Sequence, residues 1–184
     1  VVYLIFRILI LSILEIQGVN MPPLRGIDRG IDGKMLCELE QIGHGGQIVI
    51  VDASYHIPFT ARSVNYLGLT SAQALNGILG LVPVDAIRQA DGSEGTPYVL
   101  CMNPDLPTKT CEALQSFEKV IANQTSILEL KGVPRLANSE SKDEIEKAGF
   151  YTLANNSDMP TLFVRTRDVL AYSCVLFAVG HSQE

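Results

Sequence analysis

The stretch Gln47-Ile48-Val49-Ile50-Val51-Asp52 restricts the fold more than any other in the chain. Four consecutive β-branched residues leave no polar face, so a strand here needs cover on both sides of its sheet. Tyr98-Val99-Leu100-Cys101-Met102 makes the same demand. Helical signals surround these runs. Asp32 can cap a helix over Lys34–Ile42 that Gly43 ends, and Thr70 or Ser71 can cap one from Ala72 to Gly80, with Pro83 barring its continuation. Thr110 to Ala122 carries Cys111, Leu114, Phe117, Val120 and Ile121 on one stripe at helical period. Ser54–Ser63, which contains Pro58, and Gly132–Ser141 read as loops, and Ser126–Leu130 as a strand. Asp143–Ala154 reads as a helix weakened at Gly149. Thr161–Thr166 and Tyr172–Val179 read as strands joined in hairpin fashion around Arg167-Asp168. Strands alternating with helices and closing on a strand pair predict an α/β chain, a three-layer αβα sandwich with a mixed β-sheet.

With 184 residues, the chain has material for one sizeable domain. Hydrophobic residues at 47% against 18% charged exclude a disordered chain, and a formal charge of -6 argues against nucleic acid, which needs a basic face. Val1–Val19 is largely apolar but is interrupted by Arg7, Ser12, Glu15 and Gln17. A signal or anchor, an assembly helix, or residues outside the working domain would each account for it. The absence of a basic flank and of a small-residue cleavage site favours the last. Residues 1–20 are therefore set apart as an apolar N-terminal segment, and 21–184 as a single domain. No membrane partner is expected. Cys37, Cys101, Cys111 and Cys174 form no Cys-x-x-Cys pair, and they read as reduced, mostly buried thiols of a cytoplasmic protein.

His44 stands between Gly43 and Gly45-Gly46, where glycines permit unusual dihedrals and close approach of a ligand. Asp52 ends the following strand, at the edge of a sheet where ligands usually bind. The sequence has no Gly-x-Gly-x-x-Gly, no phosphate loop and no Gly-x-Ser-x-Gly elbow, and His44, His56 and His181 lack the spacing of a helical zinc site. What remains is a site of His, Asp and Tyr, expected to work without metal or cofactor. Such a set suits proton transfer on a neutral polyol.

These residues resemble the ribose pyranase and L-fucose mutarotase family, RbsD/FucU. Its motifs are similar to Gly43-His44-Gly45 through Asp52-Ala53, Leu81-Val82-Pro83-Val84-Asp85, Lys147 through Phe150-Tyr151 to Ala154, and Thr166 through Tyr172 and Cys174 to Gly180. The resemblance implies a sugar mutarotase that interconverts anomers, or pyranose and furanose forms, of a free monosaccharide by acid–base ring opening. L-Fucose is favoured because Gly-His-Gly and Phe150-Tyr151 look like the fucose branch. It also implies His44 as proton donor and Asp52, Asp85, Lys147, Tyr151, Tyr172 and Cys174 as sugar contacts. Cys174 stands where the family carries Asn, Gly46-Gln47 where it carries an acidic pair, and Leu67 lies in a further departure. These departures keep open a non-catalytic monosaccharide-binding or transport-associated module. The family further implies a homo-oligomer, a decamer of stacked pentamers with each site at a subunit boundary.

Overall fold

The computed structural model describes residues 27, 30–66, 68–86, 95–103, 111–156 and 158–181. The apolar segment 1–20 and Leu67 lie outside the described residues. Helix α1 (Gly33–Ile42) is followed by β1 (Gln47–Val51), β2 (Arg62–Tyr66), α2 (Ser71–Leu79), β3 (Tyr98–Asn103) and α3 (Glu112–Ala122). Then come β4 (Glu129–Pro134), α4 (Glu144–Ala148), α5 (Phe150–Ala154), β5 (Thr161–Thr166) and β6 (Val175–Ala178). One mixed sheet takes the order β2-β5-β1-β6-β3-β4. β1 pairs parallel with β5 and antiparallel with β6, so β1 lies inside the sheet.

Both sheet faces are covered, as the β-branched run requires. Ile48 and Ile50 join Met35 and Leu39 of α1, Leu75 and Ile78 of α2 and Phe117 of α3 on one face. Val49 and Val51 pack with Phe150 and Ala154 of α5, Phe163 and Tyr55 on the other. Alternate residues of one strand thus feed two cores, which gives three layers.

Local capping follows the sequence. Asp32 accepts from the Met35 amide at 2.8 Å. Thr70 and Gln73 form a reciprocal capping box at the start of α2. Several details differ from the sequence reading. β5 and β6 are not a hairpin, because β1 is inserted between them. The expected helix over 143–154 is broken into α4 and α5 at Gly149, whose φ of 77° no other residue adopts cheaply. β2 arises inside a stretch that read as a loop, where it pairs with β5 as an edge strand. β4 starts later than the expected strand and runs on to Pro134. β6 begins only at Val175, which leaves Tyr172 in the preceding turn.

Candidate functional site

Five strands run in one direction and β6 against them, so the sheet has a carboxyl edge after β1 and an amino edge before it. The residues singled out from sequence divide between these edges. Asp52 leaves β1 at the carboxyl edge, 8% exposed. Its Oδ1 accepts from the Ser54 amide at 2.8 Å and the Ser54 hydroxyl at 2.6 Å. Its Oδ2 accepts from the Cys174 thiol at 3.2 Å. That thiol is fully buried, and burial, reinforced by the Asp52 charge, pushes its pKa up. Cys174 is therefore a neutral donor to Asp52. Tyr172 precedes it in the left-handed region at φ 65°, the one non-glycine residue with positive φ among the described residues. Side chains other than glycine adopt that conformation at a cost, and such positions cluster at functional sites.

Tyr151 of α5 lies on the same sheet face, stacked on Tyr55 with ring centroids 5.2 Å apart. Tyr55 is a member of this group that the sequence did not single out. It is 4% exposed, and its hydroxyl is buried with no hydrogen-bond partner among the described residues. Burial raises its pKa, and Cys174, Tyr151 and Asp52 add to the rise. An unpartnered buried hydroxyl costs free energy, whereas its removal in place costs little. Tyr55→Phe is thus expected to stabilise the fold by about 1 kcal/mol, read as a higher urea midpoint; a lower midpoint contradicts this.

Two further groups shape the carboxyl edge. Arg165 donates to the carbonyls of Ala53 at 3.1 Å and Tyr55 at 3.0 Å, which fixes the loop after Asp52. Asp168 is buried, and accepts from the Ser71 amide at 3.1 Å, the Leu170 amide at 3.1 Å and the Ser173 hydroxyl at 2.8 Å. Its carboxylate thus joins the N-terminus of α2 to the turn that carries Tyr172. The signals for both were charges inside apolar surroundings, Arg165 within Leu-Phe-Val-Arg-Thr and Asp168 just beyond it.

His44 occupies the other edge. About 13 Å of strand separates the two ends of β1, so one copy of the chain does not bring His44 to Asp52. The loop holding His44 turns through Gly43 at φ 66° and Gly45 at φ 76°. It is fastened to the end of β6 by Gly45 N–H to the Val179 carbonyl at 2.9 Å and Val179 N–H to the Gly46 carbonyl at 2.8 Å. From the opposite side, Asp85 N–H donates to the Ala178 carbonyl at 2.9 Å, which brings Asp85 to the His44 edge. The His44 imidazole is stacked on His181, centroids 3.6 Å apart and planes 19° apart. Lys147 is exposed at the end of α4, where it forms an ion pair with Glu144 at 3.5 Å and touches neither group.

Burial also sets an alkaline limit on the fold. The Cys101 thiol is pushed from 9.0 to about 12, mainly by desolvation. An unfolded chain releases that proton near its ordinary pKa while the folded chain holds it. Stability is therefore fully present below about 9 and is lost as pH rises towards 12. Cys174 and Tyr55 shift in the same direction. Urea midpoints are expected to fall steadily above pH 9; a flat profile from pH 7 to 11 contradicts this.

The sequence matches the RbsD / FucU transport protein family over residues 25–182. Among curated proteins, none matches it. Among solved structures, protein Atu2016, described as a candidate sugar-binding protein, aligns with a TM-score of 0.65 at 19% identity, covering 89% of this chain and 99% of its own. The fucose mutarotase of Streptococcus pneumoniae, solved with L-fucose, aligns with a TM-score of 0.58 at 18% identity, covering 87% and 100%. RbsD of Bacillus subtilis, solved with D-ribose, aligns with a TM-score of 0.53 at 17% identity, covering 85% and 98%.

Proposed function

The chain belongs to the RbsD/FucU family, and on that footing we propose that it is a monosaccharide mutarotase, with L-fucose as substrate. His44 carries the reading. It is an imidazole on a glycine-framed loop inside the matched region, and neither ring nitrogen is committed to a hydrogen bond among the described residues. Imidazole can give and take protons near neutrality, which a reaction running in both directions requires.

Ring opening takes the proton from the anomeric hydroxyl, delivers one to the ring oxygen and breaks the bond between that oxygen and the anomeric carbon. Closure on the other face of the carbonyl reverses each transfer. His44 moves the proton. Asp52 and Asp85 accept hydrogen bonds from sugar hydroxyls, and Lys147 orients another hydroxyl. Tyr151 and Tyr172 offer both a ring face and a hydroxyl to the mixed surface of a sugar. Cys174 acts through Asp52, whose Oδ2 it holds.

Since His44 and Asp52 lie at opposite edges, one site takes His44 from one copy and Asp52 from the next. Exposed apolar groups fit such a head-to-tail contact. Val169 and Leu170 are exposed beside the carboxyl edge, at 88% and 39%, and Phe59 is fully exposed on the loop returning to the amino edge. A heterologous contact that closes by rotation gives a ring, in line with a decamer of stacked pentamers.

Magnetisation-exchange NMR on the anomers of L-fucose and D-ribose tests the reading. Catalysed exchange, faster for fucose, is expected. Calorimetric binding without exchange would instead favour a sugar-binding module, and neither binding nor exchange would sink both.

A further inference from the structure

The proposed proton donor is held by its ring face alone. His44 sits between two glycines in left-handed conformations, so no neighbouring side chain along the loop braces it. Among the described residues its imidazole makes no hydrogen bond, and its ring contact is with His181, 3.6 Å away and nearly parallel. His181 is itself delivered with little freedom at its root. Val179 exchanges two backbone hydrogen bonds with the Gly45-Gly46 segment, and Gly180 N–H donates to the Pro83 carbonyl at 2.9 Å. A Cβ on Gly180 would come within 2.9 Å of the Val84 carbonyl oxygen and 3.0 Å of Asp85. The segment Val179-Gly180-His181 therefore leaves β6 pinned between the two loops of the amino edge, and it lays one imidazole flat on the other.

A histidine oriented through a hydrogen bond gives up one nitrogen to its partner, which also fixes its tautomer. A histidine oriented through its face keeps both nitrogens for substrate and solvent. That difference matters where one group must both give and take a proton. We propose that His181 is a positioning residue, clamping the His44 imidazole by face-to-face stacking while leaving both of its nitrogens free to exchange protons with the sugar. This inference rests on the reading of His44 as the proton-transfer group.

The test uses the full chain with His181→Ala and His181→Phe, each first checked for an unchanged far-UV spectrum and assembly size. His181 is exposed, so both variants are expected to fold. L-Fucose exchange is measured over a range of sugar concentrations, and the ring protons of His44 are followed in spectra of 13C-histidine-labelled protein. Misplacing a reacting group lowers turnover more than ground-state affinity. His181→Ala is expected to lower kcat by about tenfold, with KM changed by less than about twofold. It also removes the upfield ring-current displacement of the His44 protons. His181→Phe, which keeps a flat ring but no nitrogen, is expected to restore most of kcat and to retain the displacement.

An unchanged kcat in His181→Ala overturns the inference. So does equal slowing by Ala and Phe, which would assign the role to a His181 nitrogen and not to its face. A wild-type protein that exchanges no sugar removes the mutarotase reading itself and this inference with it. Normal wild-type exchange beside an unaffected Ala variant removes only the role of His181.

Discussion

His44→Ala is expected to slow L-fucose anomer exchange by about 10²-fold or more, with sugar affinity and assembly largely kept. The size follows from what a placed acid–base group contributes to a proton transfer. The retention of fold follows from location. His44 is exposed on a loop whose backbone is fixed through Gly45, Gly46 and Val179, none of which depends on the imidazole. The structural loss is therefore confined to the stack with His181, a contact worth about 0.5–1.5 kcal/mol between aromatic rings. Exchange NMR beside a thermal melt separates the two effects. Near-normal exchange in the variant would move the chemistry to another group.

Asp168→Ala is expected to cost about 3 kcal/mol of stability. The carboxylate is 7% exposed and receives the Ser71 amide, the Leu170 amide and the Ser173 hydroxyl. Removing it leaves those donors buried or half-buried without their acceptor, and an unmet buried donor costs more than a made hydrogen bond contributes. The loss also frees the turn that keeps Tyr172 at φ 65°. The variant should thus bind sugar more weakly as well as melt lower. A urea midpoint within error of the unaltered protein contradicts the assignment of Asp168 as the anchor of that turn. Ser173→Ala, which removes a single donor, serves as the milder companion.

The layers of this fold were legible because they follow from local rules. A β-branched run with no polar face demands two covers, and Ile48 and Ile50 do pack against α1 and α2 while Val49 and Val51 face α5. Asp32, Thr70 and Gly43 mark helix ends through short-range hydrogen bonds and φ preferences that a sequence shows directly. Strand order was less legible, since it depends on long-range pairing. The run 161–179 looks like two strands and a turn, yet β1 takes the place between them because its two bare faces and two hydrogen-bonding edges all need partners. β2 escaped notice because Arg62-Ser63-Val64-Asn65-Tyr66 lacks an apolar run, and it survives as an edge strand through its pairing with β5.

The site shows the same division. Glycines around His44 and an acid at the end of a strand are visible one residue at a time. The spacing of eight residues between His44 and Asp52 says nothing by itself of closeness, and the straight strand between them sends the two to opposite edges. Arg165 and His181 carried no motif, and each matters only through a partner distant in sequence. Cys174 illustrates a residue whose type was plain and whose contact was not. A thiol in a buried apolar run looks like packing, and only the antiparallel register of β1 with β6 places it against Asp52.

A mixing experiment with two variants, each expected to be impaired, bears most directly on the proposed division of the site between copies. His44→Ala and Asp52→Ala proteins are each assayed for L-fucose exchange alone, then unfolded together in equal amounts, refolded and assayed again. A site that draws His44 from one copy and Asp52 from the next is rebuilt intact at about a quarter of the boundaries in a random closed ring. The mixture is therefore expected to regain about a quarter of the wild-type exchange rate. A mixture that assembles fully and stays as inactive as its components would contradict a site divided between neighbouring copies.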